Sequence, residues 1–596
     1  MFAVIATFPA WMPLSGMTPE QTTSRFVDGA GRLVAVTNPL GQRIRYQFDA
    51  LNHMVSITDP LRGVTSFSYD GNGNLLTVTD ANYHTTSYNY DNMNRRITRT
   101  DPLGRTESFQ YDPGGNPVQF TDRRGKVAQY GYDALNRITS AQFGVTAPNT
   151  YESQITYAYD AGNRPTQISD SAAGNITPQF DGLNRLIQET TPQGSVSYTY
   201  DLAGRRSAMT VQGQPSVSYT YDNGNRLTQI SQGTTAVSFA YDADNRRTVL
   251  TLPNGITGGY SYDQDSRITG LTYALGSNTL GNLTYAYDAN GRRTQVGGTF
   301  AQTNLPQAVT AASYDAANEL LQWGSSALAY DSNGNLVNDG QNQYTWNARN
   351  QLASMSGSTT AAFQYDAYGR RINKTIAGAT TGFLYDRANA TQELSGTTPT
   401  ANMLSGHVDE IFMRTDSTGA YSFLADALGS TVALADGSGS IATEYTYGPF
   451  GNTSASGATT SNAFRYTGRE NDDGSLYYYR ARYYNSQIGR FISEDPIQFR
   501  GGVNFYSYVQ NNPITFHDPL GTIPFISCIY YAYMCSETSQ QCRQDLDRAS
   551  GNNDANLCRG TQSPNPDDAY YKVCFLENYY CQQMLATCGN DAATPR

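Results

Sequence analysis

Lysine and histidine are scarce in this 596-residue sequence, with three lysines (Lys126, Lys374, Lys572) and four histidines (His53, His84, His407, His517). So thin a supply argues against Schiff-base, P-loop or imidazole-centred chemistry. Charged residues make up only 15% of the chain and the net charge is -11. The basic residues are scattered, so the main body lacks the electrostatic footprint of a nucleic-acid binder. No apolar run reaches the roughly 18 residues that a membrane-spanning helix needs. Cysteine is absent from the first 521 residues. No metal or cofactor motif stands out, because zinc knuckles favour gaps of two to four residues and the late cysteines are spaced more widely.

What the chain does contain is glycine (55), tyrosine (45) and 39% apolar residues, the composition of a large, turn-rich β protein. An aromatic-Asp pair recurs at Phe48-Asp49, Tyr69-Asp70, Tyr90-Asp91, Tyr111-Asp112 and Tyr132-Asp133, always 21 residues apart. It continues with small slips and wider gaps to Tyr385-Asp386. A fixed period of this length marks a stacked repeat architecture. In each unit the aromatics at i and i+2 share a strand face, and Asp-x-x-Asn forms a turn in which Asn can turn left-handed. A second turn follows, as in Asp101-Pro102-Leu103-Gly104. The pattern predicts two short strands and two turns per unit, Tyr stacking on Tyr between units, Asp capping turns, and Arg after Asn pairing across units.

These features resemble the RHS or YD-repeat family over roughly residues 26–521. The most diagnostic blocks resemble its core-associated segment: Asp426-Ala427-Leu428-Gly429-Ser430-Thr431, Tyr447-Gly448-Pro449-Phe450-Gly451, Leu476 to Tyr484, Gly489 to Ile497, and Asn511-Asn512-Pro513 with Asp518-Pro519-Leu520-Gly521. The resemblance implies a mainly β fold, a spiral, cocoon-like β-sheet shell, plugged at one end by the core segment. It also implies self-cleavage behind the plug by an aspartic-protease-like pair, matched by Asp495 and Asp518 with Arg482 assisting. The expected cut lies at Gly521, Thr522 or Ile523. On spacing alone these aspartates are ordinary, since Asp-Pro also makes turns at Asp59, Asp101 and Asp112. Here Thr522 stands where the family usually has Leu.

All seven cysteines follow Gly521. Cys528, Cys535 and Cys542 are seven apart, as are Cys574, Cys581 and Cys588, so each triplet lines one face of a helix. Two antiparallel helices would pair Cys528 with Cys588, Cys535 with Cys581 and Cys542 with Cys574, leaving Cys558 as a free thiol in the loop. Reduced cysteines as small seam residues are the alternative. Disulfides would imply an oxidising compartment.

The resulting expectation has four parts. Residues 1–25 form an irregular or truncated lead-in, 26–400 the repeats, 401–521 the core and plug, and 522–596 a cysteine-rich, effector-like helical hairpin. The sequence also resembles the C component of toxin complexes and polymorphic-toxin carriers, which implies a secreted or surface-associated bacterial toxin carrier used in interbacterial competition that encloses and releases its C-terminal module. A partner chain completing the shell and an immunity protein for the module would follow from that. The rival reading is a non-enzymatic cell-surface YD-repeat protein that binds carbohydrate or protein partners; a displaced cassette without activity is a further one.

Overall fold

The computed structural model describes residues 22–522. Residues 1–21, Ile523, the expected helical hairpin, its three disulfides and the Cys558 thiol lie outside the described residues. Within them the chain is strands and turns, with three single-turn 3₁₀ segments at Tyr466–Gly468, Gln498–Arg500 and Val509–Asn511. No helix among the described residues is long and apolar enough to cross a membrane.

The repeat turn is built around its aspartate. Asp91 Oδ1 accepts the N–H groups of Met93 (2.9 Å) and Arg95 (3.0 Å), while Oδ2 accepts Arg95 Nε at 2.7 Å. Asn94 takes φ 61°, the left-handed conformation that Asn tolerates. In the same arrangement at Asp160, the Arg164 backbone N–H and guanidinium hold the carboxyl below its ordinary value.

Contact between units runs through arginine rather than through the expected Tyr-on-Tyr stacks. Arg95 lies over the Tyr111 ring at 4.7 Å, Arg185 over Tyr200 at 4.6 Å and Arg226 over Tyr241 at 5.2 Å. Each such guanidinium is already oriented by its own aspartate, so it presents a flat cation to the next ring. The tyrosine hydroxyl instead donates to backbone in the preceding hairpin, as Tyr111 does to Arg96 O at 2.7 Å. Arginine also crosses units directly, with Arg95 Nη1 donating to Asp112 O at 3.0 Å.

Hairpins joined in this way give a 26-stranded sheet from Ser24–Val27 to Arg293–Gly297. Successive strands pair antiparallel, which short turns allow without crossovers. A three-stranded sheet follows, then a 14-stranded sheet from Ala329–Tyr330 to Thr453–Gly457. The strand Thr398–Ser405 runs across position 400 inside that sheet, so repeat passes into core segment as a change of sequence pattern only. A four-stranded sheet, Glu470–Asn471, Leu476–Tyr479, Arg482–Asn485 and Arg490–Phe491, closes the order.

The largest core lies where the two long sheets meet. Val196, Ile230, Val237 and Leu250 of the first pack with Leu384, Leu404, Phe412 and Leu424 of the second. Burying each such side chain contributes on the order of 2 kcal/mol. Ion pairs stitch the same seam: Arg206 to Asp386 at 2.6 Å, Arg247 to Glu410 at 2.5 Å and Arg349 to Asp170 at 2.6 Å. The four-stranded sheet is aromatic on both faces, as alternation of side chains along a strand requires. Leu476, Tyr478 and Tyr483 join a cluster with Leu336 and Phe363, whereas Tyr477, Tyr479 and Tyr484 join Tyr466, Phe491 and Tyr508.

Candidate active site

The tight turn between Leu476–Tyr479 and Arg482–Asn485 holds the segment that ends the described chain. Three consecutive residues of this turn take three consecutive carbonyls. Arg480 donates to Pro519 O, the Ala481 N–H to Leu520 O at 3.2 Å, and Arg482 Nε to Gly521 O. Gly521 has φ +70°, and a β-carbon there would run into the Tyr479 carbonyl oxygen. Glycine is therefore required by both backbone conformation and space.

The Asp518 side chain turns back on the same segment. Its Oδ1 accepts the N–H groups of Leu520 (3.2 Å), Gly521 (2.8 Å) and Thr522 (3.2 Å). Asp495 reaches the site from the loop after Arg490–Phe491. Its N–H donates to Phe505 O at 3.0 Å, its Oδ1 accepts the Ile497 N–H at 3.0 Å, and its carbonyl accepts the Gln498 N–H at 2.9 Å.

Arg482 joins the two aspartates. Its Nη2 stands 2.9 Å from Asp495 Oδ2 and 3.5 Å from Asp518 Oδ2. Its Nη1 donates to Phe505 O at 2.8 Å, and the guanidinium lies over the Phe491 ring at 3.6 Å. All three side chains are buried. Burial pushes the Asp495 carboxyl up to about 7, with the Asp518 charge adding to the rise and Arg482 and the Ile497 N–H opposing it. Burial also draws Arg482 below its ordinary value, against the pull of both carboxylates. A carboxyl that keeps its proton near neutrality beside a second aspartate is the arrangement that divides acid from base work.

The Thr522 carbonyl lies close to the acid. A β-carbon at Gly501 would come within 2.5 Å of Asp495 Oδ2 and 3.4 Å of Thr522 O. Thr522 and Arg482 both line a cavity of about 560 Å³, together with Trp346, Tyr385, Arg469 and Leu520. The structure thus brings Arg482, Asp495, Asp518, Gly521 and Thr522 into one place.

Sequence reasoning missed Phe505, Gly501, Arg480 and Asp409. Asp409 accepts Arg480 Nη2 at 2.6 Å and pairs with Arg469, which steadies the arginine that holds Pro519. Arg480 had one available signal, its place two residues before Arg482. Phe505 acts through its backbone carbonyl, for which no side-chain pattern exists.

With fold and site in view, the family is plain. The Teneurin YD-shell model matches residues 195–277 and 256–514, more than half of the chain, and the RHS Repeat model matches 27–64, 69–106 and 111–142. The chain belongs to the RHS/YD-repeat family. Its relatives include the tRNA3(Ser)-specific nuclease WapA of Bacillus spizizenii, 32% identical over 254 residues, which are 40% of this chain and 11% of that protein. Toxin subunit YenC1 of Yersinia entomophaga is 38% identical over 102 residues, 16% of this chain and 10% of the relative. The chain thus spans about a tenth of the length of these relatives. Among solved structures, TcdB2-TccC3 superposes with a TM-score of 0.66 at 17% identity, over 84% of this chain and 34% of that one. The described sheets therefore share the β-shell fold of that assembly.

Proposed function

We propose that this chain is an RHS-repeat toxin carrier that encloses its C-terminal region and frees it by one aspartate-dependent cut in cis, near residues 521–523. The observation that carries the reading is the bridge of Arg482 Nη2 between Asp495 and Asp518, with Asp518 holding the N–H groups of the segment to be cut. Arg482 and Asp518 anchor the Gly521–Thr522 peptide, and the protonated Asp495 and the Thr522 carbonyl oxygen both border Gly501, so the bond we assign is Thr522–Ile523. In this mechanism water adds to the Thr522 carbonyl carbon while Asp518 takes one of its protons. Asp495 gives its proton to the carbonyl oxygen, and collapse of the diol sends a proton to the departing nitrogen of Ile523. The anchoring contacts supply the orientation on which such a single-turnover step depends.

The toxin subunits and nucleases among the relatives support a secreted bacterial carrier, and the two-component name TcdB2-TccC3 supports a partner chain that completes the shell. Intact mass of freshly expressed protein beside Asp495→Asn and Asp518→Asn tests the reading. Fragments 1–522 and 523–596 are expected from the wild type and absent from both variants. A single full-length wild-type species would refute it.

A further inference from the structure

Glu494 precedes Asp495, yet its carboxylate belongs to a different set of contacts. It meets the first long sheet, 371 residues back in sequence: Arg123 Nη1 donates to Oε1 at 3.0 Å and Nη2 to Oε2 at 2.7 Å. Arg99 Nη2 stands 3.5 Å from the same Oε2. Arg123 is fixed in turn by Asp101 at 2.7 Å and by the Asn333 carbonyl, and Arg99 by Glu107 at 3.1 Å. A fork-to-fork pair of this kind is directional, so it sets orientation as well as distance.

A second route leads from the same sheet to the same acid. The Arg99 guanidinium lies over the Phe505 ring at 5.6 Å. The Phe505 carbonyl accepts both the Asp495 N–H at 3.0 Å and Arg482 Nη1 at 2.8 Å. Two arginines of the repeat hairpins therefore grip the two residues, Glu494 and Phe505, that hold Asp495 from either side. These contacts are almost wholly buried, with side-chain exposures of 2% for Arg99, 4% for Arg123 and 12% for Glu494. Without the arginines the Glu494 charge would be buried and uncompensated, and the loop would not keep this conformation.

We propose that Arg123 and Arg99 are positioning residues for self-cleavage: docking of the repeat turns on Glu494 and Phe505 sets Asp495 against Arg482, so the cut is made only in a chain whose first sheet has closed on the plug. The inference rests on the cleavage reading above. It makes the cut a consequence of shell closure and places its control in residues that touch neither the scissile bond nor its anchors.

The charges that act on the Asp495 carboxyl are Arg482 and Asp518, whereas the neighbouring Glu494 carboxylate is turned to Arg123 and Arg99, with Asp101 behind Arg123. This ordering fixes the test. Full-length chains carrying Arg123→Gln, Glu494→Gln, both together, Arg123→Lys or Asp495→Asn are pulse-labelled in cell-free synthesis and chased from pH 5 to pH 9, with cleavage followed in time. Each neutral single variant is expected to slow cutting on the order of 100-fold, and the double variant to be no slower than the slower single. The midpoint of the rate–pH profile moves up in Arg123→Gln, which leaves Glu494 uncompensated beside Asp495, and down in Glu494→Gln, which leaves a bare guanidinium. Arg123→Lys keeps the charge and the wild-type midpoint. Wild-type rates in Glu494→Gln and Arg123→Lys alongside a wild-type rate in Arg123→Gln would overturn the inference, as would slowing with unmoved midpoints. A wild type that stays whole, or an Asp495→Asn chain that is cut, removes the cleavage reading itself.

Discussion

Asparagine at position 495 is a permanent stand-in for the protonated acid, so its effect on stability depends on how much the folded protein resists the charged form. The comparison is made in an Asp518→Asn background, which under the proposed mechanism leaves the chain whole and removes only the weaker of the two influences that raise Asp495. Burial carries the Asp495 carboxyl from 3.8 to about 7. At about 1.4 kcal/mol per unit, ionising it inside the fold costs about 4 kcal/mol. The group is raised, so its contribution is complete below pH 3.8, declines as pH rises, and is gone once pH has passed about 7. The double variant should match Asp518→Asn near pH 4 and exceed it by up to about 4 kcal/mol at pH 8. Urea unfolding midpoints at pH 5, 6, 7 and 8, followed by tyrosine and tryptophan fluorescence, measure the difference. A gap that stays constant with pH would refute the reasoning. A gap that opens in favour of aspartate would mean that Arg482 stabilises the carboxylate more than burial penalises it.

Gly521→Ala should slow cutting on the order of 100-fold, because the new methyl displaces the anchored segment from the Tyr479 carbonyl while leaving all three charged residues in place. Wild-type fragment yield by intact mass would contradict this. Phe412→Ala removes a seam ring that is 2% exposed and lies 5.5 Å from Phe239, and should lower stability by about 3–5 kcal/mol with no change in which bond is cut, read by urea unfolding and by mass.

The repeat is legible because its causes are local. An aspartate that caps its own turn and an asparagine at a left-handed position act within five residues of one another and recur every 21 residues, so Asp91 to Arg95 announces its turn from sequence alone. The ring contacts were misread because the sequence shows where tyrosines recur but not what covers them. Arg95 and Tyr111 sit in neighbouring repeats, 16 residues apart, and only the turn at Asp91 aims the guanidinium across that gap. At the candidate site, Asp495 and Asp518 were found through family resemblance, since neither differs locally from Asp101 or Asp112. Phe505 meets them through its backbone carbonyl, which carries no side-chain pattern, and Glu494 meets Arg123 across 371 residues, a closure for which no local pattern exists.

The buried charge along the seam invites the same question of cause. A buried pair gains little over apolar residues of similar volume, because desolvation offsets the attraction, whereas removing one partner leaves an uncompensated charge. Arg206 and Asp386 show this arrangement, with Tyr198 also donating to Asp386 at 3.0 Å and Arg206 lying over the Tyr198 ring at 4.9 Å. Asp386→Ala alone should therefore cost about 3–5 kcal/mol. Arg206→Met with Asp386→Leu and Tyr198→Phe should fall near wild type or up to about 4 kcal/mol above it. If stability were the reason for the pair, the apolar triple would be the weaker protein in urea. If registration is the reason, the triple will be as stable, and hydrogen exchange at Leu384 and Met209, where the two sheets abut, will speed up because the seam has lost one of the directional contacts that oppose sliding. Equal exchange in both proteins would remove registration as the explanation and leave the pair without a structural role beyond its own charge balance.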